Sequence, residues 1–340
     1  MAIRIGLMGF GRIGRNIFRI LYSRDDVEVA AISDIADHKA LEYLLRFDTV
    51  LGRFPDEVAV KGGRLVAGKL SVPILSGMEP GDVPWRELGV DVVIEATARY
   101  RSRAEVSRHI ETGAKHVILC VPPTDEPDIT VVMGVNDRDL KASHRIISNA
   151  SCTSNCLGPV AKVLHRTFGI RQGFVTAIHA YTNDQRLADV PAGDMRRSRA
   201  AAENIIPTDT RAHELVMRLM PELKGRLGGV AMNVPVPDGS VIDFVVQLEK
   251  STDVKSVNEA MRAASETDLK GIVEYEADPI VSSDVIGSPY SAVFDSLGTQ
   301  MIGGDLVKVL AWFDNGWGYA SRVVDVVKRI SALETAEVRR

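Results

Sequence analysis

Residues 3–14 of the chain read IRIGLMGFGRIG. The first six of these, Ile3 to Met8, are mostly apolar, which is typical of a strand buried on both faces of a parallel sheet. Apolar residues then recur at helical spacing after Gly11, so we predict a helix that begins at the glycine turn. A second apolar run, Val27 to Ile32, ends just before Asp34 and completes a βαβ unit. The sequence therefore predicts a Rossmann-type α/β domain at the start of the chain.

The turn of this βαβ unit contains Gly9, Gly11 and Gly14 in the spacing G-x-G-x-x-G. The pattern is specific only in this setting, between a strand and a helix and with an acid, here Asp34, further along. The first glycine permits the tight turn, the second lets the backbone approach a pyrophosphate, and the third packs the helix against the strand. The helix N-terminus then faces the phosphates. We predict a dinucleotide site at this turn, which also contains Arg12 and Ile13.

Asp34 is the predicted contact for the adenosine ribose of the dinucleotide. A carboxylate there accepts hydrogen bonds from the ribose hydroxyls and repels a 2′-phosphate, which favours NAD over NADP. The alternative is that Asp34 caps the N-terminus of a helix predicted over residues 39–46, a common use of aspartate.

Two domains are predicted from the patterns along the chain. Three further strands complete the open α/β sheet, at Asp91 to Ala96, His116 to Val121 and Thr130 to Val135. A helix is predicted between the first two of them, at Arg103 to Thr112. Beyond Cys152, alternating runs mixed with helices indicate an α+β domain with a mixed, largely antiparallel sheet. The predicted boundaries are 1–150 for the nucleotide-binding domain and 151–316 for the catalytic domain, with a C-terminal helix over about 317–340 that packs back on the first.

Composition excludes several classes of function. Of the 340 residues, 25% are charged and 45% are hydrophobic, and the net charge is −4, so neither nucleic acid nor a membrane is the expected partner. No apolar run reaches the length of a membrane-spanning helix. Three cysteines, a small and odd number, do not suit a disulfide framework, and no Cys/His set completes a metal site. We expect a cytoplasmic protein without a metal.

Cys152 is the predicted nucleophile. It follows a run of small polar residues, Ser148 to Ser151, and precedes a helical apolar pattern, which places its sulfur at a helix N-terminus. Unpaired backbone N–H groups and the positive end of the helix dipole favour a thiolate there. His179 is the predicted partner that lowers the thiol pKa further. The alternatives are a small buried cysteine and a histidine with a structural role in a strand.

The two segments that contain these residues, Ser148 to Cys156 and Ile178 to Gln185, resemble the active site of the phosphorylating glyceraldehyde-3-phosphate dehydrogenase family, which includes erythrose-4-phosphate dehydrogenase. The resemblance runs along nearly all of the chain and includes Gly9 to Arg15, Arg196-Arg197, Ala200 to Thr208 and Trp312 to Tyr319. It implies NAD-dependent oxidation of a small aldehyde phosphate in glycolysis, through a thioester on Cys152, in a homotetramer.

The resemblance also implies roles for individual residues. Thr97, Cys120, Asn315 and Tyr319 match positions beside the cofactor, although Cys120 stands where the family has a serine and is equally consistent with core filling. Asn315 precedes a glycine and has a simple turn as its alternative. Residues matching the substrate phosphate site are Thr182 and Arg197, and those matching the inorganic phosphate site are Ser151, Thr153 and Thr210.

Two positions depart from the family pattern at the phosphate sites. Asn233 stands where the family has a second arginine, and Arg211 stands where it has a glycine. One hypothesis is that Arg211 supplies the missing guanidinium, and the other is that it is an exposed helix residue without a ligand. A buried arginine that is lost and not replaced costs about 2–4 kcal/mol of anion binding.

Two other functions stay open on sequence alone. A weakly held phosphate favours water as the acyl acceptor, which indicates erythrose-4-phosphate dehydrogenase or another non-phosphorylating enzyme. The third possibility is a binding or redox-sensing paralogue that uses Cys152 as an oxidisable switch without turnover.

Overall fold

A computed structural model describes residues 2–338 of the chain. The first residue and residues 339–340, where the predicted C-terminal helix ends, lie outside the described part. By their contacts, the residues separate into two compact units. The first comprises residues 2–131, 136–151 and 320–338, and the second comprises residues 132–135 and 152–319.

The first unit is built around a nine-stranded sheet. Its elements are β1 (Ile3–Met8), α1 (Arg12–Tyr22), β2 (Val27–Asp34), α2 (His38–Arg46), β3 (Phe47–Asp48), β4 (Gly52–Arg53), β5 (Val58–Lys61), β6 (Arg64–Ala67), β7 (Leu70–Ser76), β8 (Val92–Glu95), α3 (Arg103–Glu111), β9 (His116–Leu119), β10 (Ile129–Thr130) and β11 (Ile146–Ser148). Strands β3 and β4 form a separate small hairpin.

The strand order of the large sheet is β10-β11-β9-β8-β1-β2-β7-β6-β5. Neighbouring strands from β10 through β7 run parallel, whereas β7, β6 and β5 pair antiparallel. The parallel strands β1, β8 and β9 are almost entirely buried, as continuous apolar runs in parallel sheets are. The carboxyl ends of these strands form the edge at which doubly wound folds bind nucleotides.

One predicted strand of this unit is wrong, and strands β3 to β7 and β11 were not predicted. Of the predicted strand over residues 130–135, only Thr130 lies in a strand, as the second residue of β10 (Ile129–Thr130). The chain turns after it, with Gly134 in the left-handed region (φ 80°) and the Val135 N–H bonded to the Val132 carbonyl. Strands β5 to β7 lie at a sheet edge in a polar, glycine-rich segment, where the apolar pattern is weak.

The second unit contains a seven-stranded sheet with helices against one face. Its elements are α4 (Cys152–Phe168), β12 (Ile170–Ala180), β13 (Ile206–Thr208), α5 (Ala212–Leu219), β14 (Leu227–Val234), β15 (Ser240–Leu248), α6 (Val254–Glu266), β16 (Val273–Glu276), β17 (Ala292–Ile302) and β18 (Leu306–Phe313). The strand order is β13-β14-β12-β15-β18-β17-β16. Four neighbouring pairs are antiparallel and two are parallel, which confirms the mixed, largely antiparallel sheet.

The last helix, α7 (Trp317–Val338), begins in the second unit, and its residues from 320 onward belong to the first. Near its end, Glu334 Oε1 lies 3.1 Å from His116 Nε2 at the start of β9. Within residues 2–338, no helix combines the length and apolar character needed to cross a membrane.

Candidate active site

The glycine turn between β1 and α1 has the geometry that a pyrophosphate needs. Gly9 is left-handed (φ 94°), and a Cβ there would lie 2.8 Å from the backbone nitrogen of Thr97. A Cβ at Gly14 would lie 2.2 Å from the Gly9 carbonyl oxygen, so glycine keeps α1 close to β1. A Cβ at Gly11 would meet no described atom within 4 Å. This open side at the N-terminus of α1 fits the close approach of a phosphate group.

Asp34 lies at the end of β2, beside the turn. Its Oδ2 accepts a hydrogen bond from the Phe10 N–H at 2.6 Å, and its Oδ1 accepts from the Ala36 N–H at 2.8 Å. The alternative role as a helix cap is wrong, because Asp37 caps α2 by accepting from the Lys39 N–H at 2.9 Å. A carboxylate has about four acceptor sites, so the half-buried Asp34 retains capacity for ribose hydroxyls.

The other predicted cofactor residues of the first unit lie at the same edge of its sheet. Thr97 follows β8 and packs against Gly9. Cys120 follows β9 and is 8% exposed. Burial, and next the charge of Glu95, raise the pKa of the Cys120 thiol, so this cysteine is a protonated, inert group. Arg12 and Ile13 form the first turn of α1.

Cys152 and His179 face each other in the second unit. Cys152 is the first residue of α4, and Ala150, two residues before it, lies in the left-handed region (φ 58°). The Cys152 sulfur lies 3.3 Å from Nε2 of His179, on β12. His179 Nδ1 donates to the carbonyl of Ala180 at 2.6 Å, which leaves Nε2 directed at the sulfur. Phe313 packs against the imidazole in a T-shaped arrangement, with 5.9 Å between the ring centroids, and supports this orientation.

The electrostatics favour a thiolate at Cys152 and at no other cysteine. Burial raises the pKa of the Cys152 thiol, but the charge of His179, the hydrogen bond with His179 and hydrogen bonds from Thr153 outweigh it, and the pKa lies below its ordinary value. Burial, followed by the nearby Cys152, raises the pKa of the Cys156 thiol well above that value. The thiolate is the nucleophile of cysteine chemistry, so reactivity is confined to Cys152.

Alkylation near neutral pH tests this difference between the cysteines. In the native protein, iodoacetamide is expected to modify Cys152 and to leave Cys120 and Cys156 unmodified, because their thiols are buried and protonated. Peptide mass spectrometry gives the extent at each position, and denatured protein, in which all three react, is the control. Equal labelling of Cys152 and Cys156 in the native protein would contradict the assignment.

A buried hydrogen-bond path connects the strand of His179 to Asn315. The Ala180 N–H donates to Ser240 Oγ at 3.0 Å, and Ser240 Oγ donates to Asn315 Oδ1 at 3.0 Å. The Asn315 N–H in turn bonds Asp238 Oδ1 at 3.3 Å. The amide oxygen of Asn315 is therefore an acceptor within the protein. Sequence reasoning missed Ser240, since a serine that begins an apolar strand carries no distinctive signal.

Arg197 and Thr182 meet at one carboxylate. Arg197 forms an ion pair with Asp184, and Thr182 Oγ1 donates to that same side chain. Arg197 Nη1 also donates to Thr208 Oγ1 at 3.2 Å. A guanidinium and a hydroxyl that converge on one anion form an arrangement suited to a phosphate group.

Asn233 is buried beside His179 and bonds a neutral partner. It lies on β14 in register with His179 on β12, with 6% of its surface exposed. Its Nδ2 donates to Gln185 Oε1 at 2.6 Å, and that oxygen also accepts from the Thr182 N–H at 3.0 Å. The paired amides of Asn233 and Gln185 therefore occupy the position at which the resemblance implies an arginine.

The remaining predicted site residues are placed as follows. Arg211 is exposed and immediately precedes α5, and Thr210 Oγ1 accepts from the Ala212 N–H at 3.3 Å. Ser151 is half-buried, whereas Thr153 and Tyr319 are buried. Within residues 2–338, no group of three or more His, Cys, Asp and Glu side chains is arranged to hold a metal ion.

A dinucleotide-binding turn and a cysteine–histidine pair that lowers the thiol pKa, in one chain, define a nucleotide-dependent enzyme with a reactive cysteine. Two family models match the chain: "Glyceraldehyde 3-phosphate dehydrogenase, NAD binding domain" over residues 3–103, and "Glyceraldehyde 3-phosphate dehydrogenase, C-terminal domain" over residues 151–315. The chain belongs to the glyceraldehyde-3-phosphate dehydrogenase family.

Three curated relatives named glyceraldehyde-3-phosphate dehydrogenase illustrate the similarity. The protein of Geobacillus stearothermophilus is 49% identical over 333 residues, covering 98% of this chain and 99% of the relative. That of Streptomyces coelicolor is 50% identical over 329 residues (96% and 98%), and that of Mycobacterium tuberculosis is 49% identical over 334 residues (96% and 98%).

Proposed function

We propose that the chain oxidises glyceraldehyde-3-phosphate with NAD and inorganic phosphate, giving 1,3-bisphosphoglycerate and NADH, as a step of glycolysis. The observation that carries the proposal is the 3.3 Å contact between the Cys152 sulfur and His179 Nε2 at the N-terminus of α4. Membership of the family supplies the substrate, since the relatives bear the name of that reaction.

The residues of the chain account for each bond change. The Cys152 thiolate adds to the aldehyde carbon, and the His179 imidazolium protonates the developing alkoxide, which gives a hemithioacetal. His179 Nε2 then takes back the hydroxyl proton as a hydride leaves the same carbon, and a thioester remains on Cys152. NAD supplies the acceptor for that hydride. An oxygen of inorganic phosphate attacks the thioester carbon, the carbon–sulfur bond breaks, and the thiolate returns to its pair with His179.

For the cofactor, the proposal assigns Gly9, Gly11, Gly14 and the residues between them to the pyrophosphate and Asp34 to the adenosine ribose. Support comes from the open side of Gly11 and the spare acceptor capacity of Asp34. Thr97 and Cys120 at the neighbouring strand ends, and Asn315 and Tyr319 in the second unit, are assigned to the rest of the dinucleotide.

Replacement of Asp34 tests the preference for NAD over NADP. We expect Asp34→Ser to raise the ratio of kcat/KM with NADP to kcat/KM with NAD by at least about tenfold, because a like charge no longer opposes the 2′-phosphate. Asp37→Ser is the matched control, since it removes a neighbouring carboxylate that caps α2. An unchanged ratio in Asp34→Ser would contradict the ribose assignment.

For the substrate, the proposal assigns the phosphate of the aldehyde to Thr182 and Arg197, which already converge on the Asp184 carboxylate. Ser151, Thr153 and Thr210 are assigned to inorganic phosphate by family resemblance. Asn233 is neutral and bonds Gln185, so it adds no charge to either anion.

The neutral Asn233 specifically favours a second function, in which water takes the acyl group in place of phosphate.

We expect Asn233→Arg to lower the KM for inorganic phosphate by about tenfold or more, because a buried guanidinium contributes about 2–4 kcal/mol to binding an anion. Asn233→Lys is the matched control, since it adds the charge without the planar fork. If Arg211 already supplies the cation, Asn233→Arg changes little and Arg211→Ala raises the KM for phosphate.

A homotetramer is the proposed assembly, by family resemblance. Exposed apolar side chains support an association of copies: Leu187 is 89% exposed and Met195 82%, both in the loop between β12 and β13. Phe174, on β12, is 72% exposed, and Ile302, at the end of β17, is 73% exposed. Apolar groups of this size at the surface mark interaction sites when they cluster. Light scattering that gives four times the 37.0 kDa chain mass would support the tetramer.

We further propose that residues 1–150, with the C-terminal helix from about residue 317, form the NAD-binding domain and that residues 151–316 form the catalytic domain. The division into two units by contacts supports these boundaries.

A cytoplasmic location is proposed from the three free thiols of the described residues, which suit a reducing compartment.

Steady-state NADH formation from glyceraldehyde-3-phosphate, with and without inorganic phosphate, tests the proposed reaction. Cys152→Ala serves as the blank. A rate that requires phosphate and saturates with it supports the proposal. Turnover independent of phosphate would overturn it in favour of hydrolysis, and erythrose-4-phosphate would then be the next aldehyde to assay.

A further inference from the structure

A fully buried polar chain runs through the first unit and ends beside the glycine turn. Trp85 Nε1 donates to His109 Nδ1 at 2.9 Å, and His109 Nε2 lies 3.2 Å from Glu95 Oε2. All three residues are 0% exposed. A buried carboxylate is costly unless it is fully hydrogen-bonded, yet the reaction on Cys152 makes no use of Glu95. Its position therefore calls for a role of another kind.

The indole N–H of Trp85 fixes the proton positions along this row of buried hydrogen-bonded side chains. An indole N–H can only donate, so Nδ1 of His109 is an acceptor and the ring proton is on Nε2. Nε2 therefore donates to Glu95 Oε2, and His109 is neutral. The geometry leaves Glu95 as the ionised member, with both of its oxygens accepting hydrogen bonds.

The other oxygen of Glu95 holds Thr97. Glu95 Oε1 accepts from the Thr97 N–H at 2.9 Å and from the Thr97 hydroxyl. The Arg99 N–H donates to Thr97 Oγ1 at 3.1 Å. The hydroxyl proton is thus directed inward, and the remaining capacity of the half-buried Thr97 Oγ1 is that of an acceptor.

Thr97 and Asp34 flank the glycine turn from opposite sides. In the sheet, β8 and β2 are the two neighbours of β1, with Thr97 following β8 and Asp34 ending β2. A Cβ on Gly9, which follows β1, would lie 2.8 Å from the Thr97 nitrogen. In a doubly wound sheet the two halves of a dinucleotide lie on either side of this point. Asp34 is assigned to the adenosine half, which leaves Thr97 facing the nicotinamide half.

We propose that Glu95 is a positioning residue: together with His109 and Trp85 it orients Thr97 so that Thr97 Oγ1 accepts a hydrogen bond from a hydroxyl of the nicotinamide half of NAD. The inference rests on the proposed use of NAD and deepens it, because it states which kind of group this side of the site takes. A ligand hydroxyl fits, whereas a phosphate oxygen, which only accepts, does not.

Binding of NAD and of AMP, measured by calorimetry on the intact protein, separates this role from a structural one. Thr97→Val is expected to weaken NAD binding by about tenfold, the effect of one hydrogen bond with its partner left unpaired. AMP carries only the adenosine half, and its affinity is expected to stay within about twofold. Thr97→Ser, which keeps the amide and hydroxyl, is the matched control. A parallel loss of AMP and NAD affinity in Thr97→Val, or no loss of either, would overturn the proposal.

A rescue experiment tests the proton positions themselves. In Glu95→Gln, the NH₂ of the new amide faces a second donor in either orientation. In one orientation this donor is the His109 Nε2–H, and in the other it is the Thr97 N–H. NAD affinity is therefore expected to fall at least about tenfold, with AMP affinity retained. Adding Trp85→Phe frees His109 to carry its proton on Nδ1 and to accept at Nε2 from the NH₂ group of the introduced amide, which restores part of the loss. A double variant no better than Glu95→Gln would overturn the tautomer on which the proposal depends.

These outcomes are distinct from failure of the proposed function. If the unchanged protein does not bind NAD, the proposed function fails. If it binds NAD and Thr97→Val binds equally well, only the role of Glu95 and Thr97 fails. Thr97→Val needs no change in the buried chain, so the test stands even where Glu95→Gln is poorly folded.

Discussion

Replacing Cys152 with serine is expected to lower the rate of NADH formation by about four orders of magnitude or more, the scale seen when a catalytic nucleophile is removed. A hydroxyl near His179 is a far weaker nucleophile than a thiolate, because its ordinary pKa is much higher. The measurement is the initial rate of NADH absorbance change with glyceraldehyde-3-phosphate and inorganic phosphate at saturating concentrations.

Cys156→Ser is the matched control for this loss. Cys156 lies one helical turn further along α4, is fully buried, and contacts the Ala311 carbonyl through its sulfur at 3.7 Å. A serine there keeps a group able to make this contact, and we expect activity within a few-fold of the unchanged protein. Comparable losses in both variants would show that the cysteine substitutions disturb α4 and that Cys152 has no special role.

Replacing His179 with asparagine is expected to produce two separable effects. Turnover falls by about 10²–10⁴-fold, the range for loss of a general acid–base group. In addition, the pKa of the Cys152 thiol rises, because the charge of His179 is the largest of the contributions that lower it. Cys152 alkylation near neutral pH therefore slows, and its rate rises with pH over a higher range than in the unchanged protein.

The pH profile of alkylation distinguishes this effect from a disturbed fold. His213→Asn, on α5, provides a matched histidine control and should leave the profile of Cys152 unchanged. If His179→Asn lost turnover while the alkylation profile stayed where it was, the thiolate would be maintained by the helix N-terminus alone. The ion pair of Cys152 and His179 would then not be part of the mechanism.

The parts of the fold that sequence predicted well depend on local patterns. The glycine turn is recognisable from the few residues between β1 and α1. The structure shows why two of its positions, Gly9 and Gly14, exclude a side chain. The start of α4 at Cys152 is equally local, because small polar residues give way to an apolar helical pattern. The mixed sheet of the second unit follows from alternating runs along β12, β14, β15 and β18.

The parts that sequence did not predict depend on contacts between distant residues. Thr130 to Val135 is apolar enough for a strand, but Gly134 packs so closely on Leu269 that a Cβ would lie 2.6 Å from its side chain. The cap of α2 is Asp37, directly before the helix, whereas Asp34 accepts a hydrogen bond from the distant Phe10 N–H.

The buried chain from Trp85 to Thr97 has no pattern in the sequence at all. Its members come from a turn, from α3 and from the end of β8, and only the packing of the sheet brings them together.

Asn233 is an intermediate case. Its identity was readable as a departure from a family pattern, but its bond to Gln185 was not, since the partners are 48 residues apart.

The most direct test of the central claim is a single turnover with inorganic phosphate left out. Mixing the protein with NAD and glyceraldehyde-3-phosphate should release a rapid burst of about one NADH per active site, as an accumulating acyl-enzyme does. Peptide mass spectrometry of the quenched protein should then find the acyl group on Cys152, and later addition of phosphate should remove it. No burst, or an acyl group on any residue other than Cys152, would contradict the thioester mechanism.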